Sequence, residues 1–154
     1  MGSRPSRTNM KSYKIEQVTG EDILVRYNEL KREIDKALEH SDGEWTAAQI
    51  VEAAIKDPNM FHVWEVLMDG SPVAIATTRV ITYNNFTSLH IITLGGSDVY
   101  DDLPDITTSF EKMVSEYEHI DYLEFTGRRG FIKQLNKIGW NEMYVTMRKH
   151  LKEN

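Results

Sequence analysis

This 154-residue sequence predicts an α+β fold, a mixed sheet with flanking helices. Three observations carry that prediction. Apolar residues recur with a period of two in some runs and about 3.6 in others, and the two kinds of run alternate along nearly the whole chain. The tetrapeptide Met68-Asp69-Gly70-Ser71 joins two β-rich runs, and Asp-Gly readily takes the positive φ values of a tight hairpin turn. From Thr87 to Phe125 a strand, a helix and another strand follow in series, which implies a parallel pair with a right-handed crossover.

Taken in order, Tyr13–Val18 alternates and suits a first strand. Thr19 or Gly20 opens a long helix with Ile23, Tyr27, Leu30, Ile34 and Leu38 at helical spacing, ended by Ser41-Asp42-Gly43. Thr46 with Gln49 forms a capping-box pattern ahead of Ile50, Val51, Ala54 and Ile55, and Asp57-Pro58 stops that second helix. Phe61–Leu67 and Pro72–Tyr83 are the hairpin strands, and Asn84-Asn85 turns the chain into Thr87–Leu94. Gly95–Asp102 reads as loop, and a helix is expected from Leu103 to about Glu118, with Leu103, Ile106, Phe110, Met113, Val114 and Tyr117 on one face. Tyr122–Thr126 is the next strand, Arg129–Ile138 a helix, and Trp140–His150 a closing strand. The order is β-α-α-β-β-β-α-β-α-β, in one domain over residues 13–154. Residues 1–12 are expected to be a disordered basic arm or an expression remnant.

Composition excludes several functions. The chain has no cysteine, so disulfides, thiolate catalysis and thiolate metal sites are absent. No apolar run approaches a membrane span, and no signal peptide is visible, so a soluble, cytoplasmic protein is expected. The formal net charge is −6. Because Arg4, Arg7, Lys11 and Lys14 crowd the first residues, the remainder is more acidic still, which argues against nucleic-acid binding. The motifs of hydrolases, nucleotide-binding loops and metalloproteases are missing, and the five histidines show no paired ligand spacing, so no metal is expected.

In mixed sheets of this kind ligands bind beyond the carboxyl ends of the strands. That places the candidate site at Leu94, Gly95, Gly96 and Ser97 and at Thr126–Arg129. His90 and Glu124, on neighbouring strands, are the nearest candidates for a general base. The competing reading for His90 is a hydrogen-bonded core residue, since it shares a strand face with Ile92 and Leu94; for Glu124 it is simple surface exposure. Arg128 and Arg129, bounded by Gly127 and Gly130, sit at a strand-to-helix turn that favours an anion, and their guanidinium forks suit carboxylate or phosphate. They could equally pair with acids such as Glu124 or the Asp98–Asp105 cluster.

The element order, the hairpin, Leu94-Gly95-Gly96 and the segment Gly127–Trp140 resemble the GNAT N-acyltransferase family, and the glycine-bounded arginines are most similar to small GNAT-like proteins of tailed bacteriophages. The resemblance covers roughly residues 13–150. It implies acetyl-CoA as co-substrate, its pyrophosphate held on main-chain amides at a helix N-terminus inside a Gln/Arg-x-x-Gly-x-Gly/Ala loop. Here that loop lacks the Gln/Arg, and its glycines are spaced differently. Asp98, Asp101 and Asp102 are expected to crowd the anion's approach, with Asp101 or Asp102 capping the helix and Pro104 removing an amide donor. Where many family members place a proton-donating tyrosine, four residues before the glycine of the Gly-aromatic stop, this chain has Leu135; Tyr144 on the closing strand is the remaining tyrosine candidate. These departures favour a weakly active or non-catalytic GNAT-fold protein acting through protein contacts, in a virion or on a host target. The alternative is an active acyl-CoA-dependent N-acyltransferase using main-chain amides of Ile92–Gly96 with Arg128 and Arg129. A generic α+β binding domain is the third reading.

Overall fold

A computed structural model describes residues 11–39, 41, 43–96, 99–127 and 129–152. The basic residues Arg4 and Arg7 therefore lie outside the described residues, as do Ser97, Asp98 and Arg128. The elements are β1 (Lys14–Val18), α1 (Gly20–Val25), α2 (Tyr27–Leu38), α3 (Ala47–Lys56), β2 (Phe61–Met68), β3 (Ser71–Thr82), β4 (Thr87–Gly95), α4 (Val99–Val114), β5 (Tyr122–Phe125) and α5 (Arg129–Asn136). The five strands form one sheet in the order β1-β2-β3-β4-β5, antiparallel except for the parallel β4–β5 pair. This is the mixed α+β sheet that the sequence predicts.

Strand alternation divides the core into two layers. Trp64, Val66, Ala74, Ala76 and Ile91 face α4 and α5, where Leu103, Ile106, Phe110, Phe131 and Leu135 meet them. Val63 and Ile75 point to the other face, against Ile23, Leu30, Ile34, Ile50, Val51 and Ala54 of α1–α3. Polar groups inside are paired. The Trp64 indole donates to Thr78 Oγ1 at 2.8 Å, and Thr77 and Thr93 share a hydroxyl hydrogen bond of 2.6 Å.

Local signals in the sequence are realised where they are self-contained. Asp69 (φ 52°) and Gly70 (φ 82°) both take positive φ, giving a two-residue hairpin turn that matches strand twist. Thr46 Oγ1 accepts from the Gln49 N–H at 3.1 Å while Gln49 Oε1 accepts from the Thr46 N–H at 3.0 Å, a complete capping box on α3.

Four expectations need correction. The first long helix is interrupted at Arg26 (φ −101°, ψ 17°), whose guanidinium bonds Glu29 at 2.8 Å and reaches across to Glu65 on β2 at 2.7 Å. The helix expected from Leu103 begins four residues earlier, at Val99, because buried Val99 already belongs to the apolar face. Lys11, at the end of the expected N-terminal arm, is bound to the body: its N–H donates to Asp105 at 3.1 Å and its ammonium to Asp102 at 3.1 Å. Finally, Trp140–His150, expected as the closing strand, has no regular secondary structure and no ladder partner among the described residues. Gly139 (φ 95°) turns the chain, the Trp140 N–H bonds the Leu135 carbonyl at 3.1 Å, and the tail then reaches Glu44, which pairs with Arg148. Among the described residues no helix is long and apolar enough to cross a membrane.

Gly96 offers a direct stability test. A Cβ there would collide with the Val73 carbonyl oxygen and come within 2.8 Å of Ala74 Cα, both main chain that cannot swing aside. We expect Gly96→Ala to cost about 1–3 kcal/mol in urea unfolding. Gly20→Ala, with nothing within 4 Å of the added carbon, should stay within about 0.5 kcal/mol of the parent. Equal stabilities for the two variants would contradict this packing.

Candidate functional site: the parted strands β4 and β5

The β4–β5 ladder has four pairs, from Ser88–Tyr122 to Ile91–Phe125. Past that point the strands separate. On its other side β4 pairs with β3, where Thr77 lies opposite Thr93 and Thr78 opposite Ile91, so Ile92 is an extra, bulged residue. A bulge bends its strand and re-aims the adjacent side chains, and bulges gather beside functional sites. The end of β4 is then clamped to the body. A Cβ on Gly95 would stand 3.0 Å from Ala37 Cβ on α2, and Gly96 is closed in by β3. Both glycines are therefore demanded by packing, whatever else their amides do.

The opening is a cleft of about 880 Å³. One wall is α2 with Trp45; the other is the start of α4 and the turn into α5. Its α4–α5 side carries an aromatic row, Phe131 lying 5.5 Å from Phe125 and 5.8 Å from Tyr100 between ring centroids. Gly127 lets the turn hug that row, since its Cβ would stand 3.0 Å from the Phe125 ring.

Val99 and Tyr100, which line the cleft, are the first residues of α4, so their N–H groups have no acceptor within the helix. The expected crowding by carboxylates does not extend to Asp102. That side chain turns away from the cleft toward β1, accepting from Tyr13 Oη at 2.8 Å and from Lys11. Asp101 and Asp102 lie inside the first turn rather than capping it, where negative charge also suits the helix dipole. Pro104 does not strip the helix start either. Its missing N–H would have bonded the Tyr100 carbonyl, and Gln134 Nε2 of α5 donates there instead, at 3.3 Å. Among the described residues no group accepts from the first amides of α4, and an anion could approach them.

His90 lies under the cleft, 8% exposed. Arg79 Nε donates to its Nδ1 at 3.2 Å, so the ring proton sits on Nε2, which faces Thr126 Oγ1 at 2.8 Å. Arg79 is itself stacked over the Trp45 ring, its guanidinium carbon 5.3 Å from the centroid. Burial first, and then the Arg79 charge, push the His90 pKa down to about 4. At neutral pH the imidazole is uncharged with both nitrogens engaged. Glu124, opposite His90 on β5, accepts from Tyr83 Oη and from Ser88 Oγ, each at 3.0 Å.

The structure therefore brings His90, Leu94, Gly95 and Gly96 to the cleft and sets Glu124 beside His90. Arg129 is the exposed first residue of α5, at the turn that borders the cleft. Tyr144, 88% exposed, stands on the unpaired tail. Leu135 is buried in the apolar face of α5. Ser97 and Arg128 lie outside the described residues. Sequence reasoning passed over Arg79, Tyr83 and the Ile92 bulge. Arg79 could have been flagged, being the one charge inside the otherwise uncharged strand of Ser71–Thr82.

The lowered His90 pKa has a measurable consequence. An unfolded imidazole titrates near 6.5, so between pH 6.5 and 4 the unfolded chain holds a proton that the folded chain does not. Stability from this group is complete above pH 6.5 and falls as the pH drops through that window, by up to about 3 kcal/mol. Urea midpoints of the parent and of His90→Gln should therefore converge, or cross, between pH 7 and pH 4.5. Parallel losses in the two proteins would show that His90 does not titrate as described.

No protein-family model matches the chain, and no curated protein sequence matches it either. Solved structures do. An aminoglycoside acetyltransferase from an uncultured soil metagenomic sample, in complex with sisomicin, aligns over 94% of this chain and 99% of its own, with a TM-score of 0.60 and 17% identity. A predicted acetyltransferase from Clostridium acetobutylicum, with acetyl-CoA, aligns over 90% of this chain and 96% of its own (TM-score 0.62, 11% identity). A ribosomal-protein-alanine N-acetyltransferase from Brucella melitensis biovar Abortus 2308 aligns over 91% and 99% (TM-score 0.61, 11% identity). At such identities the likeness speaks for architecture alone: the chain has the fold of the GNAT acetyltransferases.

Proposed function

We propose that the chain is an acyl-CoA-dependent N-acyltransferase that moves an acetyl group to an amine of a small molecule or a protein. One observation carries this reading: the parted β4 and β5 open onto the N-terminus of α4, and Asp102, in its first turn, points away from the opening. An anion meeting the free amides of Val99 and Tyr100 gains the helix dipole. Main-chain amides of Ile92–Gly96, with Arg129 at the facing turn, complete the surface for the pyrophosphate and its linked chain. The acyl thioester then lies in the gap between the strands, where the Ile92 bulge frees main-chain groups to polarise it.

The acceptor amine needs a base. Glu124 suits that role better than His90, because the single basic lone pair of the buried His90, on Nδ1, is taken by Arg79, whereas each Glu124 oxygen accepts one hydrogen bond and keeps a second lone pair. His90 instead fixes Thr126 at the point where β5 leaves the sheet. The leaving thiolate takes its proton from Tyr144 or from water at the open mouth.

A second reading, binding without efficient transfer and a role in protein contacts within a virion or on a host target, is favoured by Leu135. That residue is buried in the apolar face of α5, so the helix presents no proton donor there.

Calorimetric titration with acetyl-CoA, paired with coenzyme A release assayed over a panel of amines and basic peptides, separates the two. Saturable binding with release supports the enzyme, and binding without release supports the second reading. No heat at millimolar acetyl-CoA would sink the first. If the enzyme reading holds, Glu124→Gln should lower kcat by roughly 10²–10⁴-fold with acetyl-CoA affinity unchanged. Arg129→Glu, which puts a carboxylate at the anion's turn, should weaken acetyl-CoA by about tenfold.

A further inference from the structure

Among the described residues, five charged side chains line the cleft: Glu33, Lys36, Glu44, Arg79 and Arg148. Four of them neutralise one another. Lys36 pairs with Glu33 at 3.4 Å, and Arg148 pairs with Glu44. Arg79 is the exception. Its Nε is bonded to His90 and its guanidinium lies over the Trp45 ring, yet among the described residues no carboxylate pairs with it and its two Nη groups donate to none. Arg79 is half-buried, and a cation partly withdrawn from water is costly unless an anion answers it. His90 and Trp45 hold the guanidinium by its Nε and by its face. That leaves the fork of the two Nη groups for a bidentate carboxylate.

We propose that the acceptor of the acyl group is a free amino acid, its carboxylate on Arg79 and its amine directed to Glu124. This assignment rests on the acyltransferase reading and names its second substrate. Arg79, His90 and Glu124 lie abreast on β3, β4 and β5. Neighbouring strands are about 4.8 Å apart, so the main chain at Arg79 and at Glu124 is separated by roughly 10 Å. One small molecule can reach both. Charge selects among small amines. A polyamine, an aminoglycoside or a lysine-rich peptide would bring further cations against Arg79, where Glu33 and Glu44 are already paired. A phosphorylated acceptor would carry net negative charge toward a chain of net charge −6. An amino-acid zwitterion carries no net charge and still offers the one carboxylate that Arg79 lacks.

Coenzyme A release from acetyl-CoA should be measured for the twenty standard amino acids, each beside its α-carboxamide, and for spermidine and a lysine-rich peptide. At least one amino acid should exceed its amide by roughly 10–100-fold in kcat/KM, chiefly through KM. Arg79→Gln should bring that ratio toward one, and Arg79→Lys should keep part of it. A purely structural role for Arg79 would lower acid and amide alike and leave the ratio intact, which overturns the proposal. Release with spermidine or the peptide but with no amino acid also overturns it, while the acyltransferase reading survives. If no acceptor gives release, that reading fails by itself, and calorimetry of the same pairs against the protein with saturating coenzyme A decides the carboxylate site. Binding of an acid over its amide, lost in Arg79→Gln, upholds Arg79 as the anchor; no binding overturns it.

Discussion

The separation of β4 from β5 after Ile91 and Phe125 is the constraint on which the site depends. A parallel ladder that continued would seal the sheet, and no cleft would exist. Several features hold the strands apart, each traceable to particular residues. The Ile92 bulge bends β4. Gly95 and Gly96 let α2 and β3 press close enough to fix the strand's end. On the other side Phe131 packs against Phe125 and Tyr100, so α5 begins where a further β5 residue would otherwise pair. His90 and Thr126 form the last tie across the gap. Main-chain groups of the parted strands are left to water or a ligand, which is what makes the opening a site and not a defect.

Electrostatics follow from the same geometry. A chain with net charge −6 is a poor host for an anion unless its carboxylates are directed elsewhere. Asp102 and Asp105 are directed elsewhere: Tyr13 and Lys11 hold them against the start of β1. The first strand thus does more than edge the sheet, since its leading residues take up the acids of the helix that faces the cleft. Arg79 plays the matching part on the other wall. Stacked on Trp45 and bonded to His90, it keeps a positive charge beside a histidine that burial, and then this charge, hold neutral.

What the sequence disclosed was what neighbours in the chain decide among themselves. The Asp69-Gly70 turn, the Thr46–Gln49 capping box, the alternation of the strands and the apolar face of α5 each depend on residues a few positions apart. Leu135 was legible as a packing residue for the same reason. What stayed hidden depends on partners far along the chain. Arg26 breaks its helix near the point where it reaches Glu65. Asp102 looks like a capping or blocking acid until Tyr13, 89 residues away, claims it. The bulge at Ile92 is a mismatch of register between two strands and leaves no local mark in Ile91-Ile92-Thr93. Within the site, His90 and Glu124 could be named as neighbours, but not the hydrogen bonds that set one to neutrality and present the other.

The central claim is that the parted strands and the start of α4 form one binding surface for acetyl-CoA. Amide hydrogen exchange of the full chain, with and without saturating acetyl-CoA, tests it at residue level. Slowed exchange should concentrate at Ile92–Gly96, at Val99 and Tyr100, and at Gly127, Arg129 and Gly130, with the β1–β2 edge unchanged. Protection spread over α1–α3 with none at α4, or no change at all, would contradict the account.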